Sequence, residues 1–387
     1  MKNQVTTGLD VTGNEARRLY MALELSKSRW LVGSATGPGG GIRRVGIRGG
    51  DWARLLEEIQ RSLIHHELSG SSEVLVCYEA GRDGFWLSRC LEQHGIGCLV
   101  VDAGSIRRRQ GKRHVKTDRL DVERLLRDLM RYASGETDVW RTVRVPPESI
   151  EDLRQLQRER SVLISERTAH WNRVLGLLVS RGIRMEKAKL QSDGVTSLRT
   201  WDGKRLGVFL EEQLGREFER IELLGRQLKE LEARRRALLK ESPAQHAQSL
   251  ECVKRLLRLR GLGEEGAWTL AVELFAWREF RNRREIGGYM GLCGTPFSSG
   301  DSHRDLGIGK DGPGWIRALV IELSWGWLTF QSKSGLSEWF REHYGPHGKR
   351  SRRRGIVALA RRLLVSIWRY LSDGVIPEGA VLKVVAA

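Results

Sequence analysis

Residues 73–79 read Glu-Val-Leu-Val-Cys-Tyr-Glu, five apolar or aromatic residues closed at both ends by a carboxylate. A run this short, rich in β-branched and aromatic residues, suits a buried central strand better than a helix. Upstream, Tyr20–Leu25, Trp30–Ser34 and Val45–Arg48 read as strands in hairpin order. Asp51 is placed to cap a helix in which Trp52, Leu55, Leu56, Ile59 and Leu63 share one face. Downstream, Asp83–His94 reads as a helix and Cys98–Asp102 as a second buried strand. Ser105–Lys116 reads as a basic loop, and a further helix begins near Thr117. Hairpin strands followed by strands alternating with helices predict a mixed α/β domain over residues 19–145, after a polar arm at 1–18.

The Pro146-Pro147 pair punctuates the chain. Beyond it, Glu148–Ser180 and Leu206–Leu239 read as long helices around a polar loop at 186–204, which defines a helical, coiled-coil region over 146–245. Ile221, Leu224, Leu228, Leu231, Arg235 and Leu238 fall at spacings of three and four, a heptad seam interrupted by Arg235. Two partners suit that seam: the preceding helix of the same chain, or a helix of a second chain. Residues 246–387 read as a mainly α domain, with helices at Glu251–Leu259, Glu264–Phe275, Arg283–Met290, Trp315–Thr329, Leu336–Tyr344 and Arg353–Leu371. Several of the chain's 13 tryptophans crowd into it, and at helical spacing most are expected to pack in the core.

A formal net charge of +18 points to a polyanionic partner. The charge is clustered. Arg107, Arg108, Arg109, Lys112, Arg113 and Lys116 share one loop. A second run holds Lys349, Arg350, Arg352, Arg353 and Arg354, with Arg361 and Arg362 a few turns on. Such runs suit either a solvated face or phosphate contacts, and the first adjoins a group of acids where phosphate positioning is natural. The five cysteines form no CxxC pair and have no histidine at zinc-ligand spacing, so free thiols and a reducing cytoplasm are expected. No apolar stretch approaches about 20 residues, so no membrane span is expected.

Four carboxylates stand out by position. Glu24 and Glu79 end apolar strands, where α/β sheets place their ligands. Asp118 and Asp121, in KTDRLD, are three apart on one face at the start of a helix. Capping and strand-end roles account for such residues singly. Convergence of all four would require a cation, and hard oxygen ligands favour Mg²⁺ or Mn²⁺, suited to phosphodiester chemistry. Gly261-Leu262-Gly263 offers either backbone N–H groups for a phosphate or a plain tight turn.

ALELSKSRWLV (22–32), YEAGRDGFWL (78–87) and KTDRLDVERL (116–125) occur in the order of the N-terminal domain of the DEDD-type insertion-sequence transposases, which they resemble. LLRLRGLGEEGAWTLAVEL (256–274) and IGGYMGLCGTPFSSGDSHRDLGIGKDGPGWIRALVIEL (286–323) resemble two blocks of the same family's C-terminal part. The resemblance covers most of 19–129 and 253–371. It implies an RNase H-like (RuvC-like) N-terminal domain, a coiled-coil middle and a helical domain bearing a catalytic serine.

Carried over residue by residue, the metal quartet falls on Glu24, Glu79, Asp118 and Asp121. Glu24 replaces the family's usual Asp, and Asp10 is a rival for that place. The nucleophile falls on Ser299, with Ser298 beside it and His303, Arg304 and Lys310 near. The resemblance further implies donor and target DNA as substrates, a structured guide RNA, and a homo-oligomer built as a dimer of dimers. The residues themselves also suit a RuvC-like nuclease, which would form no covalent adduct with DNA, or a non-catalytic nucleic-acid-binding assembly protein.

Overall fold

A computed structural model describes residues 17–106, 118–187, 190, 194, 197–299, 302–309 and 312–383. The chain packs as two units, Met1–Pro146 and Pro147–Ala387, parted at the Pro146-Pro147 step.

In the first unit β1 (Leu19–Leu25), β2 (Arg29–Ala35) and β3 (Arg43–Arg48) form an antiparallel meander. β4 (Val74–Glu79) pairs parallel to β1, and β5 (Gly97–Val101) parallel to β4, giving the order β3-β2-β1-β4-β5. Period-two alternation divides these strands between two cores. Leu19, Met21 and Leu23, with Val74, Val76 and Tyr78, pack under α1 (Trp52–His65) and α2 (Trp86–Gln93). Ala22, Cys77 and Val101 pack under α3 (Asp118–Ala133), which contributes Val122, Leu125, Leu126 and Leu129. Small residues let α3 approach closely: a Cβ on Gly33 would stand 3.3 Å from Val122 Cγ1. Asp51 caps α1, its carboxylate accepting from the Arg54 N–H at 3.0 Å.

The expected strands and helices are present, with one difference of setting. β5 is an edge strand, buried only at Val100 and Val101. Its outer side is partly covered by the following chain, where Val143 N–H donates to the Val100 carbonyl at 2.7 Å.

In the second unit α4 (Glu148–Val179) and α5 (Val208–Glu241) pack antiparallel. Leu214 and Ile221 meet Trp171, Val174 and Leu178, while Leu224 and Leu228 meet Leu163. The heptad seam is therefore filled by the same chain, the first of the two partners foreseen. Arg235, which interrupts the seam, finds a carboxylate: it is 2% exposed, lies 4.8 Å over the Trp268 ring and donates to Glu265 at 3.3 Å.

The remaining helices are α6 (Ala247–Arg258), α7 (Glu264–Leu270), α8 (Arg283–Tyr289), α9 (Gly314–Phe330), α10 (Gly335–Tyr344) and α11 (Lys349–Asp373). They share one large core with Leu153 and Leu238 of the long helices. α7 runs into a π-helical turn, Ala271–Phe275, where one helix was expected. The tryptophans divide: Trp268, Trp277 and Trp327 are buried, whereas Trp315 and Trp325 are exposed. Gly261 has φ +95°, and a Cβ there would meet Phe330 at 3.2 Å; Leu262 is buried, so this segment is a packing turn. Among the described residues no helix is long and apolar enough to cross a membrane.

Candidate active site and nucleic-acid interface

Glu24, one residue before the end of β1, and Glu79, the last residue of β4, stand on two adjacent parallel strands. The register that pairs Leu23 with Tyr78 brings them to the next position of each strand. Both alternate onto the α3 side of the sheet, in phase with Ala22 and Cys77. Asp118 and Asp121 lie in the first turn of α3. That turn sits over the β1–β2 pair: Val122, next to Asp121, packs at Gly33, and Gly33 pairs with Ala22, two residues before Glu24. Three of the four expected acids therefore belong to one face of the sheet and the start of the helix that covers it. The Asp118 side chain lies outside the described part of the structure, and so does Asp10. Among the described residues no group of three His, Cys, Asp or Glu stands close enough to hold a metal ion.

One observation bears on a cation. Asp121 Oδ2 is buried and has no hydrogen-bond partner among the described residues. A buried carboxylate oxygen without a donor is costly, and a divalent ion would satisfy it. The acid at this position thus fits a cation ligand better than it fits a helix cap.

The serine of interest lies on an element that the sequence reading did not foresee. β6 (Gly294–Ser299) and β7 (Ser302–Ile308) form an antiparallel hairpin in which Ser299 pairs with Ser302, Ser298 with His303 and Phe297 with Arg304. Ser299 is thus the last β6 residue before the connection. The side chains of Ser298, Ser299, His303 and Arg304 lie outside the described part of the structure, as does Lys310 altogether. The basic loop with Arg107, Arg108, Arg109, Lys112, Arg113 and Lys116 also lies outside the described residues.

The second basic run is described, and it forms a cavity wall. Arg350, Arg353, Arg354, Arg361 and Arg362 recur along one face of α11 and line a cavity of about 1270 Å³. Arg283 and Arg284, which open α8, face it from another side, and Gly294, Gly307 and Ile308 at the base of the β6–β7 hairpin complete the wall. Lys349 and Arg352 are exposed on α11 and do not line it. Among the described residues no Asp or Glu belongs to the lining. The Arg362 guanidinium is stacked 3.8 Å over the Trp339 ring. Arg283 and Arg284 were not singled out from sequence, although the run Arg281–Arg284 (RNRR) marks them as basic.

The cysteines are free. Burial pushes the Cys98 and Cys252 thiols up to about 12, which disfavours the thiolate at both.

Acids on one face of a mixed sheet, with an arginine-lined cavity in the helical unit, suit a protein of the nucleic-acid-processing class. Sequence comparison is more specific. A transposase profile of the DEDD type of IS110 matches residues 54–181, and the profile of the transposase IS116/IS110/IS902 family matches residues 253–345. "Putative transposase y4rJ" of Sinorhizobium fredii (strain NBRC 101917 / NGR234) is 38% identical over 382 residues, 94% of each chain. "Putative transposase y4qE" of the same strain is 28% identical over 81% of this chain and 74% of its own. The transposase for insertion sequence element IS1328 of Yersinia enterocolitica is 26% identical over 57% of this chain and 63% of its own. The chain belongs to the IS110/IS116/IS902 family of transposases. A domain of the DEDD type implies a divalent cation. The first profile begins after Glu24, while Glu79, Asp118 and Asp121 fall within it, and the second spans the β6–β7 hairpin.

Proposed function

We propose that this transposase cuts and exchanges DNA strands with Ser299 as nucleophile, and that Glu24, Glu79, Asp118 and Asp121 hold Mg²⁺ or Mn²⁺ in an RNase H-like domain. The observation that carries the reading is the placement of Glu24, Glu79 and Asp121 on one side of the sheet, with a buried Asp121 oxygen lacking a donor. The strand order β3-β2-β1-β4-β5, with β1, β4 and β5 parallel, is compatible with that fold. A divalent ion held there would stabilise the charge that develops on the phosphate and the leaving oxygen.

In the proposed step the Ser299 Oγ attacks the scissile phosphorus and loses its proton to a general base. The new bond is Ser–O–P, the bond broken is P–O3′, and the departing O3′ takes up a proton to leave a free 3′-OH. Arg304 and Lys310 neighbour Ser299 in sequence and are proposed to offset phosphate charge. A structured RNA guide and a dimer-of-dimers assembly complete the proposal and rest on the family resemblance. Because α4 fills the α5 seam, the assembly is proposed to use other surfaces.

The test is strand exchange with full-length protein. Ser299→Ala is expected to abolish exchange and the covalent protein–DNA adduct while DNA binding persists. Glu79→Ala and Asp121→Ala should do the same for exchange, and EDTA should do so reversibly. An adduct that survives Ser299→Ala and disappears in Ser298→Ala would move the nucleophile by one residue. Full activity in chelator would refute the cation.

A further inference from the structure

We infer that the arginine cavity of the second unit is a binding site for single-stranded nucleic acid, holding the phosphodiester backbone of a strand that flanks the cutting position. Nothing in the chemistry proposed for Ser299 or the carboxylates requires this site, and two of its arginines, on α8, lie far in sequence from the basic run of α11.

Four observations converge on it. First, the cationic side chains recur with helical period: Arg350, Arg353 and Arg354, then Arg361 and Arg362 after two turns, on one face of α11. At about 1.5 Å per residue they span about 18 Å, a stripe rather than a point. Second, none of the lining arginines is ion-paired to a carboxylate among the described residues, and the lining contains no acid. A concave surface lined by so many arginines concentrates its field on a polyanion. Third, Arg362 is stacked on Trp339, which fixes its guanidinium plane without using its donors. Fourth, Trp339 and Tyr344 line the cavity beside the arginines, and a basic groove that carries aromatic side chains suits the unstacked bases of a single strand.

The cavity does not hold the scissile phosphate. Its hairpin wall is at Gly294 and Ile308, whereas Ser299 is five residues further along β6, up to about 17 Å away. The site therefore anchors a flank, from DNA or from RNA, by the chemistry that both share.

Binding at this site does not depend on serine or cation chemistry, whereas its place beside the cut rests on the Ser299 reading. The experiment is accordingly one of binding, in EDTA, with full-length protein and fluorescein-labelled dT15, rU15 and a 15-bp duplex. The triple variant Arg350→Gln/Arg354→Gln/Arg361→Gln is compared with Arg216→Gln/Arg234→Gln/Arg236→Gln, which removes the same charge from exposed positions of α5. The cavity variant is expected to bind dT15, rU15 or both at least tenfold more weakly. Its log–log salt slope should fall by about 2, close to 0.7 for each phosphate that the protein no longer neutralises. The α5 variant should stay within about twofold of the parent. The response of dT15 against rU15 assigns the strand to DNA or RNA. Equal losses in the two triple variants, or duplex binding lost in proportion to single-strand binding, would overturn the inference. Arg354→Glu, a single change at an exposed side chain, repeats the test should the triple variant fold poorly. A failure here leaves strand cutting untouched, and loss of cutting in Ser299→Ala leaves this binding untouched.

Discussion

Along α4 and α5 many arginines meet carboxylates, whereas among the described residues those on the cavity face of α11 and at the start of α8 do not. Arg154 and Arg158 both reach Glu273, at 2.8 and 3.2 Å. Arg160 bridges Glu265 and Glu232, and Arg235 shares Glu265. Arg173 and Arg220 converge on Glu217, at 3.0 and 2.8 Å. Those arginines have a structural partner, and their acids are in part deeply buried: Glu217 and Glu273 are each 3% exposed. The cavity arginines stay largely solvated on their own helices. A basic count in the sequence therefore mixes two populations. Only the position of the acids separates a bolt between helices from a surface available to a polyanion.

If the paired set holds α4, α5 and the helices beside them together, its mutation should show in stability. The largest effect should come from Leu224→Asp/Leu228→Asp. This change puts two charges into the seam that α4 fills, where uncompensated burial costs more than about 4 kcal/mol. Light scattering with thermal melting decides the reading: a lowered melting temperature at unchanged oligomer mass fits the intramolecular seam. Dissociation without loss of stability would mean that a second chain competes for it.

Glu265→Ala should follow, at about 2–3 kcal/mol, because it strands the buried Arg235 charge beside Trp268, while Glu265 itself is 39% exposed and solvent screens the pair. Denaturant unfolding would measure it. A cost near zero would show that Arg235 needs only its bond to the Glu264 carbonyl.

The smallest effect tests the paired set through pH. Burial by itself would raise the Glu217 carboxyl, but hydrogen bonds from His170 and Arg173 outweigh it and hold the group below its ordinary value of 4.5. A carboxyl depressed on folding stabilises fully above the unfolded value, and that contribution is lost as pH falls through the folded one. Glu217→Gln should therefore lower the unfolding free energy at pH 7 by on the order of 1–3 kcal/mol, and lose less between pH 5 and pH 3 than the parent. Parallel acid profiles for the two proteins would remove Glu217 from the account.

Much of the fold was legible from local pattern. The alternation in Leu19–Leu25 and Val74–Glu79 places strands, and the Asp51 side chain starts α1 where a cap was expected. Of the candidate site, Glu24, Glu79 and Asp121 could be named because an acid ending an apolar strand, or paired with another on a helix turn, departs from what the element itself requires. The β6–β7 hairpin was not legible. GTPFSS and SHRDLGI contain Gly, Pro, Ser and Asp, poor strand formers, and hold their shape through the cross-strand ladder that joins them. The edge position of β5 was hidden for a related reason, since an apolar run does not record which strands flank it.

Short-range periodicity, composition and ordered motifs were thus enough to set the order of elements, the polyanion-directed charge and the family. They could not say which helix fills the α5 seam, which acids share a face with α3, or which arginines go without carboxylates. Those outcomes depend on contacts between residues far apart in the chain: Arg235 lies 30 positions from Glu265, and Arg154 lies 119 from Glu273. Local spacing carries no record of such separations, and burial, which makes a missing partner costly, exists only once the distant segments have packed.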